Sequence, residues 1–173
     1  MKKNSNIIIA LVIVLAFLIS LTFFVGNKEN DPNALSSNPE VIMNNAKKES
    51  AEIKEEEKKE FNYINIDQYF ELLAGEETSI ILLARPGCEY CQVAVPIIQN
   101  VMYQYDLEVN YLNTDDFDND ALKRFIESDD TWSEGFGTPM LYLVRNYGII
   151  DLVDGLTDRG HYKEFFIKNG YAS

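Results

Sequence analysis

Residues 79 to 91 read Ser-Ile-Ile-Leu-Leu-Ala-Arg-Pro-Gly-Cys-Glu-Tyr-Cys. Ser79 to Ala84 is a short, unbroken apolar run of the kind a strand buried on both faces shows. Arg85-Pro86-Gly87 breaks it, and a helix interrupted at Pro96 is expected from Cys88 to Tyr105. Cys88 and Cys91 therefore stand where a strand ends and a helix begins. A helix N-terminus presents unpaired N–H groups and the positive end of the macrodipole, which stabilise a thiolate at Cys88. Cys91, one turn on, is spaced to close a small disulfide with it. The spacing and the junction point to a redox-active pair. A metal half-site lacks further ligands, and two buried structural cysteines would not need this junction. A static disulfide remains the alternative, although so short a loop constrains the unfolded chain little. Around the pair, Glu89 opposes ionisation of Cys88, Arg85 favours it, and Tyr90 completes the set of tuning residues.

Before this junction, Asp67 to Leu73 has apolar residues at helical spacing behind Asp67 as the N-cap candidate, and Gly75 ends it. Val109 to Asn113 reads as a strand and Ala121 to Ser128 as a helix. Met140 to Arg145 and Ile149 to Val153, separated by a break at Gly148, make a hairpin pattern. A helix over Gly160 to Asn169 closes the chain. Strands alternating with helices and ending in a hairpin imply an α/β fold, a mixed central sheet with helices on both faces.

The 173-residue chain holds two cysteines and one histidine, which excludes a four-ligand Cys/His zinc site and a disulfide-rich scaffold. Its net charge of -13 argues against nucleic acid as a partner. Three regions are expected: 1–25, 26–60 and 61–173. Ile7 to Val25 is an uncharged apolar run long enough to cross a hydrocarbon layer about 30 Å thick. Lys2 and Lys3 precede it, so the N-terminus is expected in the cytoplasm and the rest outside, with residues 7–25 as a signal-anchor in the cell membrane. A cleaved secretory signal competes, but the run is longer than the usual signal core and no Ala-x-Ala-like site follows. Residues 26–60 read as a polar and charged spacer, either a stalk or a disordered linker. Its Ala46 to Glu60 stretch has Glu/Lys pairs at i,i+4, such as Glu55–Lys59, that suit a solvated helix. Ile53 is its sole large apolar residue, so it is not expected in the core. Residues 61–173 hold seven basic against 19 acidic residues, a net charge of -12, so most of the acidity lies there.

Beyond the cysteines, several landmarks occur in order: Pro96 within the helix, Tyr111-Leu112-Asn113-Thr114-Asp115, Gly137-Thr138-Pro139 before Met140-Leu141-Tyr142-Leu143, Arg145-Asn146-Tyr147-Gly148, and Gly155. In these the stretch from Phe61 to Ser173 resembles the thioredoxin superfamily. The resemblance implies a thioredoxin-like fold with Pro139 cis and packed beside Cys88. It implies Cys88 as nucleophile, Cys91 as resolver, and the Thr138–Pro139 backbone as the place where an extended substrate segment pairs. Two departures stand out. The Cys-Gly-Pro-Cys of thioredoxins is Cys-Glu-Tyr-Cys here, and the position of their buried acid aligns with Leu82. The stretch from Phe117 to Phe136 also looks longer and is acidic. Trp132 within it either touches substrate or covers a core edge, the second being favoured. His161 is expected on the surface.

The expected function is that of a membrane-tethered, extracytoplasmic thiol:disulfide oxidoreductase. Its expected partners are disulfide-containing proteins and a redox partner that the sequence does not name; no metal or organic cofactor is implied. The alternative is a non-catalytic accessory or chaperone-like subunit of an export or cell-envelope system.

Overall fold

A computed structural model describes residues 38–172. In chain order the elements are helix α1 (Pro39–Glu52), strand β1 (Asn62–Ile64), α2 (Ile66–Ala74), β2 (Ser79–Ala84), α3 (Glu89–Tyr105), β3 (Asn110–Asn113), α4 (Asn119–Ile126), β4 (Met140–Arg145), β5 (Gly148–Asp154) and α5 (Arg159–Lys168). The strands form one five-stranded sheet in the order β1-β3-β2-β4-β5. β1, β3 and β2 run parallel, while β4 is antiparallel to β2 and β5 to β4. This is the mixed sheet expected from the alternation of elements.

β2 sits at the centre of the sheet, which explains its unbroken apolar run. Successive side chains of a strand point to opposite faces, and here both faces are covered. Ile80, Leu82 and Ala84 join the cluster that holds the α3 residues Ala94, Ile97, Ile98 and Val101 and the α5 residues Phe165 and Phe166. Ile81 and Leu83 join Tyr69 and Leu73 of α2 and Phe125 of α4 on the other face. Leu141 and Leu143 of β4 follow the first set, Tyr142 and Val144 the second.

Several local expectations are refined. The α2 N-cap is Asn65, not Asp67: its side chain accepts the Gln68 N–H at 2.9 Å, and the Gln68 side chain accepts the Asn65 N–H at 2.9 Å. This reciprocal pairing satisfies two donors at once. α3 runs through Pro96 without a break. β1, only three residues at a sheet edge, had no sequence signal of its own. The β4–β5 turn places Asn146 at φ 52 and Tyr147 at φ 63, the backbone a tight hairpin requires. Their N–H groups donate to Gly75 O and Leu73 O at 2.8 and 2.7 Å, which ties the turn to the end of α2.

The largest correction concerns the region expected to be a spacer. From Pro39 onward it is α1, and it packs against α3: Ala46 is completely buried, and Ile53, just past the helix, enters the same cluster as both cysteines. The compact unit therefore takes in α1 rather than starting at Phe61. A small residue lets α1 approach α3 closely, so little apolar surface suffices. The 3-10 turn Glu55–Glu57 continues the attachment: Asn100 of α3 donates to Glu57 O at 2.9 Å, and Lys59 N–H donates to Gln99 O at 3.2 Å. The span expected over residues 7–25 lies outside the described residues. Among the described residues no helix is long and apolar enough to cross a membrane.

Candidate active site: two unequal thiols at a helix N-terminus

The turn between β2 and α3 is held at both ends. Cys88 N–H donates to Arg85 O at 3.3 Å, and the Gln92 side chain reaches back to Pro86 O at 3.0 Å. Cys88 thereby becomes the N-cap of α3, with extended φ and ψ, and its Sγ accepts the N–H of Cys91 at 3.1 Å. Sulfur does here what a serine or aspartate oxygen does at an ordinary N-cap. Both cysteines are free thiols.

Facing Cys88 is the loop before β4. The Thr138–Pro139 peptide bond is cis, and the Cys88 thiol donates to Thr138 O at 3.3 Å. Pro139 is buried, and its carbonyl accepts the Gly155 N–H at 2.9 Å, so the end of β5 holds the loop in place. Gly155 itself takes φ 77, which suits a residue without Cβ.

Cys88 is 8% exposed and opens onto a groove of about 550 Å³, whereas Cys91 is 1% exposed and does not line it. Arg85, Glu89, Tyr90 and Thr138 all line that groove. The structure thus brings the residues singled out from the sequence to one place, with Cys91 beneath. Arg85 pairs with Asp115 at 3.8 Å, and Glu89 pairs with Lys47 of α1 at 3.2 Å. Lys47 escaped sequence reasoning because it lay in a presumed spacer.

The two thiols differ in acidity. Burial pushes Cys88 up. Hydrogen bonds from the Cys91 side chain, from Thr138, and from the Cys91 and Tyr90 backbone outweigh it, so the thiol sits below its ordinary value. Burial pushes Cys91 up, to about 11, and its contact with the Cys88 sulfur adds to this. A low-value thiol at the groove above a high-value one is the inequality that an attacking and a resolving sulfur require. Leu82 is fully buried in the same cluster as both cysteines. Tyr111 and Tyr162 lie close enough that a charge on Cys91 would raise them further; burial is the larger cause for both, and takes Tyr111 to about 12. Trp132 is completely buried, stacked on Phe125 at 5.1 Å, so it belongs to the core, and it reaches the wall of a groove beside the cis-proline loop. His161, partly exposed, contacts Asp158 at the start of α5.

A family model described as TraF, F plasmid transfer operon protein, matches residues 29–147. Among solved structures, Chlamydomonas reinhardtii thioredoxin f2 is similar at 12% identity and a TM-score of 0.50, over 66% of this chain and 100% of that one. A Malassezia sympodialis thioredoxin is similar at 16% identity and a TM-score of 0.49, over 65% of this chain and 92% of that one. No curated protein sequence matches. The family model and the likeness to thioredoxin f2 agree on a thioredoxin-like fold for the domain.

Proposed function

The chain belongs to the TraF family, and from that premise we propose that it is a thiol:disulfide oxidoreductase, tethered to the cell membrane by residues 7–25 with its thioredoxin-like domain outside the cytoplasm. The observation that carries the redox reading is the inequality of the two sulfurs, Cys88 held below the ordinary thiol value and Cys91 raised to about 11.

The Cys88 thiolate attacks one sulfur of a substrate disulfide. A Cys88–substrate disulfide forms, and the other substrate sulfur leaves as a thiolate that takes up a proton. Cys91 then gives up its proton and attacks the Cys88 sulfur. The mixed disulfide breaks, the second substrate sulfur leaves, and Cys88–Cys91 holds the two electrons' worth of oxidation. An external dithiol, supplied by a redox partner, returns the pair to the reduced state; run backwards, the same steps oxidise a substrate. The α3 N-terminus stabilises the thiolate at the start and again as Cys88 leaves. The Thr138–Pro139 backbone offers an edge on which an extended substrate segment lies beside Cys88.

Insulin reduction by the full chain in detergent micelles, with dithiothreitol as donor, tests this. Turnover above the rate with dithiothreitol alone, abolished in Cys88→Ala, is expected; no turnover would overturn the reading. The positive-inside argument is tested by adding protease to intact protoplasts, which should remove the domain. Protection until lysis would place it in the cytosol instead. The description of the family as a transfer operon protein favours a second reading, an accessory subunit of an export system that uses the same groove without turnover. Retained partner binding in an inactive wild-type protein would support it.

A further inference from the structure

Beside the cysteine groove lies a second one, of about 440 Å³. The two share Phe136 and Gly137, so a chain crossing the cis-proline loop from Cys88 passes directly from one into the other. The wall of the second groove is apolar where Phe136, Met140 and Leu152 meet it, and two carboxylates, Glu134 and Asp154, stand on it. Both are exposed and make no ion pair among the described residues, and the lining holds no lysine or arginine. Elsewhere around Cys88 the charges are matched, Arg85 by Asp115 and Glu89 by Lys47.

Resting on the oxidoreductase reading, we propose that this second groove is a specificity pocket for a lysine or arginine side chain near the target cysteine of the substrate. Such a side chain has an aliphatic stem that covers apolar surface and a cationic head that stays at the rim. Phe136, Met140 and Leu152 match the stem, and Glu134 and Asp154 match the head. An acidic side chain meets like charge there, and an apolar one desolvates the carboxylates without pairing them. The net charge of -12 over residues 61–173 draws basic segments toward the groove from a distance. Both carboxylates are exposed, so the discrimination is modest, roughly three- to tenfold at low ionic strength. It shrinks as salt shortens the reach of the field to about 10 Å at 0.1 M.

The test uses the full chain in detergent micelles and one disulfide-bonded peptide made in three versions, with lysine, glutamine or glutamate flanking the cysteine. The expected order of kcat/KM is lysine above glutamine above glutamate. The ratio of lysine to glutamine should collapse toward one in a Glu134→Gln, Asp154→Asn double variant and persist in Glu164→Gln, a control on the exposed side of α5. A ratio that survives the double variant, or a wild type without preference, overturns the pocket. The same peptides with serine in place of cysteine, followed by fluorescence anisotropy, separate the pocket from the redox reading. If no peptide is turned over, the oxidoreductase reading fails, while tighter binding of the lysine peptide still supports the pocket. Equal or absent binding overturns it.

Discussion

Cys88 Sγ accepts the Cys91 N–H at 3.1 Å while its own proton faces Thr138 O at 3.3 Å. With the Thr138 side chain and the Tyr90 backbone also favouring its thiolate, hydrogen bonds outweigh burial at Cys88, whereas burial outweighs them at Cys91. Alkylation reads this asymmetry directly, because the thiolate is the reacting species. In the reduced protein, iodoacetamide followed by mass spectrometry should label Cys88 with a midpoint below 9.0 and leave Cys91 untouched until the pH nears its value of about 11. Equal labelling near neutral pH would remove the basis for an attacking and a resolving sulfur. The pair was legible in the sequence because a helical turn places its members by spacing alone. Trp132 was legible only as a core cover and not in its partners, since acids surround it in sequence whereas Phe125, Phe136 and Tyr142 surround it in space. Only folding brings those rings together. Glu134 and Asp154 were hidden for the same reason, lying 20 positions apart but on one groove.

Among the elements, β2, α3 and the β4–β5 hairpin followed from apolar runs and breakers, while the packing of α1 against α3 did not. Half of the residues of α1 are Lys, Glu and Asn, and what attaches it is Ala46, one small residue against α3, with Met43 and Ile53 beside it. Ala46→Glu should therefore force a carboxylate into a site with no partner and no room. A loss on the order of 3 kcal/mol in urea unfolding is expected, whereas a solvated helix would show less than about 0.5 kcal/mol. α1 also carries Lys47 to Glu89, next to Cys88. Both side chains are largely exposed, so the pair contributes only about 0.2–1 kcal/mol. Lys47→Gln leaves the Glu89 charge uncompensated, disfavours the Cys88 thiolate and hence the reduced state, and should make the potential more negative by roughly 5–20 mV. Repeated in a Glu89→Gln background, the substitution should do nothing. A shift of equal size there would show that Lys47 acts on Cys88 without Glu89, and a glutathione redox titration measures both.

For the whole molecule, a sheet covered on both faces encloses groups that are tolerated only while neutral. Burial pushes Cys91 to about 11 and Tyr111 to about 12, and it drives Tyr142 and Tyr162 upward as well. In the unfolded chain the thiol ionises at 9.0 and the phenols at 10.0. Above those values the folded protein binds more protons than the unfolded one. The stability from these groups is therefore present in full below about pH 9 and lost as pH rises toward 12. Cys88 has the opposite sign: its depressed folded value stabilises the protein above 9.0, and that contribution is lost as pH falls through the folded value. The alkaline limb belongs to the other four together with Tyr69, raised by burial, and Lys59, raised by Asp106 and Glu108, and Tyr111 alone contributes roughly 3 kcal/mol across it. Urea midpoints of the reduced protein should fall from about pH 9 upward, with little change in the denaturant slope. Cys91→Ser removes the buried thiol and leaves the phenols, so the fall should begin nearer pH 10. A variant profile that overlays the wild type would mean that Cys91 reaches solvent in the folded protein and is not held neutral beneath Cys88.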